Sequence, residues 1–110
     1  MAVLAVQKIG LAGLKPTYVA ADAAGEEFAN SGRTFLHVKN GSAAQITVTI
    51  DSIKKCDQGF DHDVTVAVPA GEERMIGGKE LEPGRFNNSS ARVKVTYSAV
   101  ASVTVAALEV

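Results

Sequence analysis

The sequence predicts an all-β chain: a single antiparallel β-sandwich, immunoglobulin-like or jelly-roll in type, of about seven or eight short strands with an apolar N-terminal arm. Three observations carry that reading. Ile46, Val48 and Ile50 alternate with Gln45, Thr47, Thr49 and Asp51, the period of two that gives a strand one buried face and one wet face. The same alternation returns at Val64, Val66 and Val68, at Val93, Val95 and Tyr97, and at Val103, Val105 and Ala107. Between these runs lie clusters of Gly, Pro, Asn and Ser, and no stretch shows a convincing helical period.

Composition narrows the classes. A chain of 110 residues is one domain by size. Its apolar set is mostly Val, Ala, Ile and Leu, and Trp is absent, which suits a thin sandwich core. A net charge of −1 leaves no electrostatic footprint for nucleic acid or an anionic membrane. Cys56 stands alone, so the fold has no internal disulfide, and a reducing cytoplasm fits that better than secretion. The opening MAVLAVQKIGLAGL is apolar, but Lys8 interrupts it and no basic residue precedes it, the wrong order for a signal peptide. No run approaches the roughly 20 apolar residues of a membrane helix. The expectation is a soluble, unprocessed chain.

Taken in order, residues 1–16 form an N-terminal arm or edge segment, and residues 17–110 the sandwich domain. Val3, Leu4, Val6, Ile9, Leu11 and Leu14 fit neither a strand nor a helix period, and Gly10 and Gly13 weaken a helix further. This segment either packs on the core as an edge strand or docks on a neighbouring subunit. Thr17 to Ala20 reads as a short strand, and ADAAGEEFANSGR as a surface loop anchored by Phe28. TFLHVKNGSAAQITVTID reads as a hairpin, two strands joined at Lys39-Asn40-Gly41-Ser42, because Asn-Gly supplies positive backbone dihedrals. After an irregular stretch, Asp63 to Val68 and Glu73 to Ile76 read as strands on either side of a Pro69-Ala70-Gly71-Glu72 turn. KELEPGRFNNSS is a long connection with Phe86 tucked beneath it. Two last strands follow, joined by a hairpin loop at Ser98-Ala99-Val100-Ala101.

The search for chemistry finds little. Asp61-His62-Asp63, with Asp57 and Cys56 close by, is the densest polar group, yet consecutive residues at a strand entry point apart. His37 joins them only if the loop folds over its strand. Cys56 with His37 or His62 lacks a third group or an oxyanion hole for nucleophilic catalysis. Gly77-Gly78-Lys79 is not followed by the helix a phosphate loop needs. Asn40-Gly41-Ser42 and Asn88-Ser89-Ser90 fit the glycosylation pattern by chance alone. Arg74, Arg85 and Arg92 are scattered. The expectation is a non-enzyme with no catalytic residue, no metal and no cofactor.

The stretches RTFLHVKNG, VPAGEERMIG and VTYSAVASVTVAALEV, within an order that spans nearly the whole chain, resemble a family of small proteins of tailed bacteriophages and prophages. These are encoded among virion assembly genes, beside the major capsid protein. The resemblance implies a structural virion component, foremost a capsid decoration (cement) protein. It would be made in the bacterial cytoplasm, bind the major capsid protein on the outer shell and act as a homo-oligomer, a trimer by preference. A head–tail connector or tail structural protein is the alternative. A carbohydrate-binding sandwich is a third reading, disfavoured by the absence of Trp. The candidate capsid or self-contact residues are Val3, Leu4, Val6, Ile9, Leu11 and Leu14 of the arm and Glu26, Glu27 and Phe28 of the following loop. On this reading, removal of residues 1–14 leaves a folded domain that no longer binds shells.

Overall fold

Strands with one apolar face must cover it, and this chain does so by laying two β-sheets against each other. The computed structural model describes residues 2–52, 63–78 and 81–110. In order they form β1 (Ala2–Leu4), β2 (Val6–Lys8), β3 (Val19–Ala20), β4 (Glu26–Ala29), β5 (Thr34–Asn40), β6 (Ile46–Ile50), β7 (Val64–Val68), β8 (Glu73–Gly77), a single helical turn α1 (Pro83–Phe86), β9 (Arg92–Tyr97) and β10 (Val103–Glu109). One sheet runs β1-β4-β9-β6-β7. The other runs β2-β10-β5-β8, with β3 also on the free side of β10. The all-β sandwich is therefore present, with more and shorter strands than the sequence predicts.

The core is the meeting of the alternating positions. Phe28, Leu36, Val38, Val48, Ile50 and Val95 are sealed between the sheets with Val93, Val103 and Val105. Branched side chains dominate because they are stiff and fill a pleated surface well. Leu81 and Phe86 are also part of this core, and Pro83 begins the helical turn that carries Phe86. There Asn30 Nδ2 donates to Leu81 O and to Asn87 Oδ1, both at 2.8 Å, and Asn87 Nδ2 returns a bond to Asn30 O at 2.9 Å.

Three sequence-based expectations need correction. The sheets are mixed, not antiparallel throughout, because β1 runs parallel to β4 and β2 parallel to β10. The stretch ADAAGEEFANSGR is not all loop; it contains β4, registered antiparallel on β9 with Phe28 opposite Val93. Gly25 at φ +90° lies so close to Val95 O (a Cβ would sit at 2.8 Å) that only glycine lets β4 reach this register. The third correction concerns both expected hairpins. β5 and β6 lie in different sheets, as do β9 and β10.

Asn40-Gly41 is thus a corner. Neither residue takes the positive φ of a two-residue hairpin turn. Instead the Asn40 side chain is buried and acts as a joint. Its Nδ2 donates to Ala44 O at 2.8 Å and Val68 O at 3.0 Å, while its Oδ1 accepts from Ser42 N at 3.0 Å and Ser42 Oγ at 2.6 Å. Gly41 N donates to Ser102 O at 2.9 Å, tying in the β9–β10 corner, where Ser102 takes φ 59°. All but two of the connections change sheet in this way. That departs from the immunoglobulin arrangement, in which strands D–E and F–G stay in one sheet.

Two outcomes test this account. Asn40→Ala strands the Val68 carbonyl in a buried corner and should cost about 2 kcal/mol in urea unfolding. Gly77 takes φ +115°, and a Cβ there would sit 2.5 Å from Leu81 Cδ1. Gly77→Ala combines that clash with backbone strain and should lower thermal stability by about 2 kcal/mol or more.

Candidate functional site

The arm residues that sequence reasoning singles out for contact fall on one edge of the sandwich, whereas Glu26, Glu27 and Phe28 lie on β4, one strand in from it. The first strand is split at Ala5, so that β1 closes the edge of one sheet and β2 the edge of the other. Within β1 successive side chains alternate between the two faces. Leu4 is turned into the core, at 7% exposure, while Val3 stands 55% exposed. After β2, Ile9 N donates to Glu109 O at 2.8 Å, and the chain turns back at Gly10-Leu11-Ala12-Gly13, closed by Gly13 N to Gly10 O at 3.0 Å. Gly13 adopts φ +87°, the left-handed region that glycine enters freely. Leu11, near the tip, is fully exposed.

The return strand is fastened twice. Gln7 clasps Thr17 as a strand would, its Nε2 donating to Thr17 O and its Oε1 accepting from Thr17 N, each at 2.8 Å. Tyr18 then meets His37, on the outward side of β5. The Tyr18 hydroxyl lies 2.6 Å from His37 Nδ1, and His37 Nε2 lies 3.0 Å from Glu73 Oε1. A neutral imidazole satisfies both partners when Nε2–H donates to the carboxylate and Nδ1 accepts the phenolic proton. The chain of bonds therefore runs from the β3 side of the sheet to β8. Lys39 Nζ sits 3.9 Å above the Tyr18 ring, within cation–π range. Ala106, opposite His37, is buried although it lies outside the core cluster, and its small side chain leaves room for this covering.

Beside the clasp is a slot of about 300 Å³. It is lined by Leu4, Ala5, Gln7, Thr17, Val19, Val105, Ala106 and Ala107. It lies where the first strand passes from one sheet to the other and where β3 takes over from β2 along β10. Its walls are apolar, and its two polar side chains, Gln7 and Thr17, come from segments that already bond to each other.

Of the expected contact residues, Val3, Ile9 and Leu11 are exposed, and Val6, Leu14 and Glu27 are half-buried. Glu27 lies 3.7 Å from Arg92. Leu4, Glu26 and Phe28 belong to the domain's own interior and offer no contact surface. Glu26 is the unexpected member: a carboxyl only 1% exposed on the core face of β4, next to Tyr97. Burial pushes its pKa above the ordinary value of 4.5, against the hydrogen bonds from Tyr97 and Asp22 N. Burial, then the Glu26 charge, raises the Tyr97 phenol in turn. The geometry of the Tyr97–Glu26 approach is poor, and the buried hydroxyl makes no well-formed bond among the described residues.

Most of the polar cluster read from sequence (Cys56, Asp57, Asp61 and His62) lies outside the described residues, as does Lys79, and so is placed neither on nor off this edge. Asp63 accepts a bond from Ser52 N at 2.8 Å. Among the described residues no three His, Cys, Asp or Glu side chains gather as metal ligands. No described helix is long and apolar enough to cross a membrane. Arg74 pairs with Glu72 at 3.1 Å, and Arg85 lies over the Phe86 ring.

Two measurements check these assignments. Tyr18→Phe leaves His37 Nδ1 buried without its partner. It should cost about 1–3 kcal/mol and speed amide exchange selectively across residues 9–20. For Glu26, the folded pKa lies above the unfolded one, so its favourable contribution is complete below pH 4.5 and is lost as pH rises through the raised value. Glu26→Gln removes that dependence. Its stability relative to the parent should therefore increase from pH 4 to pH 8 in urea titrations. Compared with family models, curated proteins and solved structures, the chain matches none.

Proposed function

We propose that this chain is a non-enzymatic structural component of a bacteriophage virion, a decoration protein that binds the outer capsid shell through the major capsid protein and stabilises it. The reading begins from the resemblance carried by RTFLHVKNG, VPAGEERMIG and VTYSAVASVTVAALEV. The single structural observation in its favour is the N-terminal edge. There one strand is divided between both sheets, and Val3, Ile9, Leu11 and Val19 are exposed along it. Edges and protruding apolar residues recruit neighbours. A modest contact repeated over a lattice becomes a strong one through multivalency.

The structure changes how this is tested. Removing residues 1–14 would take away β1, β2 and the core residue Leu4, so the truncation probes folding as much as binding. Point changes separate the two. Val3→Lys, which faces Glu27 on β4, with Ile9→Asp should keep the melting transition of the parent and weaken co-sedimentation with empty shells of the capsid protein by about tenfold or more. If the parent protein does not co-sediment with those shells, or the double variant binds them unimpaired, the proposal is wrong in the first case and misplaced on the surface in the second.

A further inference from the structure

The sheet that begins at β1 ends at β7, which pairs with β6 on one side and with no described strand on the other. Edge strands are ordinarily blunted by charge, proline, a bulge or brevity. Of the other outer strands, β1, β2 and β3 are short and β8 carries Glu73 and Arg74. β7 is Val64-Thr65-Val66-Ala67-Val68, in unbroken register with β6 and without a charge. The direction of its free backbone groups follows from β6. Thr47 N donates to Ser98 Oγ at 2.8 Å and Thr47 O accepts from Ser98 N at 2.9 Å, while Asp51 N donates to Lys94 O at 3.0 Å. These odd-numbered residues thus turn their backbone groups toward β9, and Ile46, Val48 and Ile50 turn theirs toward Val68, Val66 and Val64. The N–H and C=O of Thr65 and Ala67, both exposed residues, therefore point away from the sheet, and no described group on that side bonds to them. Val66 is a second sign. It lies opposite Val48 on the core side of the sheet, yet it is half-buried where Val48 is sealed, and it stands outside the core cluster.

We infer that two copies of this chain associate by pairing β7 antiparallel to β7 about a two-fold axis at Val66, joining their sheets edge to edge. Three features select a second copy as the occupant. Thr65 and Ala67 flank Val66 symmetrically, so Thr65 N–H meets the partner's Ala67 O and Ala67 N–H meets the partner's Thr65 O, and the axis repeats both bonds. The edge is thus its own complement, as an isologous interface requires. Val66 then stands opposite its own copy in a non-hydrogen-bonded pair, where side chains approach most closely, and Val64 stands opposite the partner's Val68. That covers the core-side valine the single chain leaves half-buried. Finally, no charge lies within the paired stretch, and Pro69, which has no N–H, ends the ladder on both sides. The contact leaves the N-terminal edge free, since β1 and β7 bound opposite sides of one sheet. It does not rest on the virion reading.

Sedimentation equilibrium of the purified full chain tests it directly. The parent should show a reversible monomer–dimer equilibrium below millimolar concentration. Ala67→Pro removes an N–H that faces solvent in the single chain and leaves the ladder to β6 intact. It should keep the parent's melting transition and weaken dimerisation by about tenfold or more, since half of the bonds across the axis are lost. Val66→Glu and Val66→Lys each set like charges face to face across the axis and should weaken it similarly. Mixing those two variants sets Glu against Lys and should give a heterodimer tighter than either homodimer. That readout is particular to a register centred on residue 66, and it decides the matter even if Ala67→Pro fails to fold. A parent that stays monomeric to millimolar concentration overturns the inference. So does a dimer indifferent to a folded Ala67→Pro, a Glu–Lys mixture no tighter than its components, or a dimer lost with Val3→Lys and Ile9→Asp but not with the β7 changes. A dimer that ignores shells sinks only the virion reading; shell binding by a strict monomer sinks only this one.

Discussion

The sandwich depends on a buried side-chain amide. Asn40 sits where the chain leaves one sheet for the other, and its two side-chain polar atoms meet backbone from two separate stretches. The amide nitrogen reaches carbonyls at Ala44 and Val68, the oxygen holds Ser42, and Asn40 N donates to Glu72 O. Corners expose backbone groups that strands would otherwise satisfy, and a buried unsatisfied carbonyl is costly. Asparagine can donate twice and accept twice from one short side chain, so it serves where a hydroxyl could not. With Gly41 bound to Ser102, crossings at β5–β6, β7–β8 and β9–β10 share one end of the molecule.

The opposite requirement is met on the outer face of the β10–β5–β8 sheet. A sandwich of this size cannot leave a long apolar segment unattached, and residues 9–18 are held by polar rather than apolar contacts. Gln7 imitates a neighbouring strand, and His37 links Tyr18 to Glu73. That choice leaves apolar side chains of the segment free to face outward. An edge fixed by hydrogen bonds and exposed through its leucine and valines is stiff enough to present a surface without consuming it.

The strands were legible because burial follows the period of two; Ile46, Val48 and Ile50 all face the core, with Thr47 and Thr49 between them half-buried. The corners were not. Asn-Gly is as good a hairpin signal as a sequence contains, yet whether its strands pair depends on where Val68 and Ser102 lie, and these are distant in sequence. β4 was hidden because Gly25, Glu26 and Glu27 look like turn chemistry; buried Glu26 offered no local sign of its environment. His37 carried a faint signal, being out of phase with Leu36 and Val38 on a strand, but its partners Tyr18 and Glu73 come from both directions along the chain. The contact edge was half visible. Apolar residues in 1–16 were evident, while the register of β1 on β4, which turns Leu4 inward and Val3 outward, depends on a strand 22 residues or more further along the chain.

The pairing of β2 with β10 has a consequence for synthesis. Val6, Gln7 and Lys8 are made about a hundred residues before their partners Ala107, Leu108 and Glu109. No order of local steps can close that sheet early, since its ladder joins residues about a hundred positions apart. Until β10 has been made, Leu4 and Val6 have no complete core to enter. The edge on which the exposed apolar side chains stand is therefore the last part of the sandwich to close.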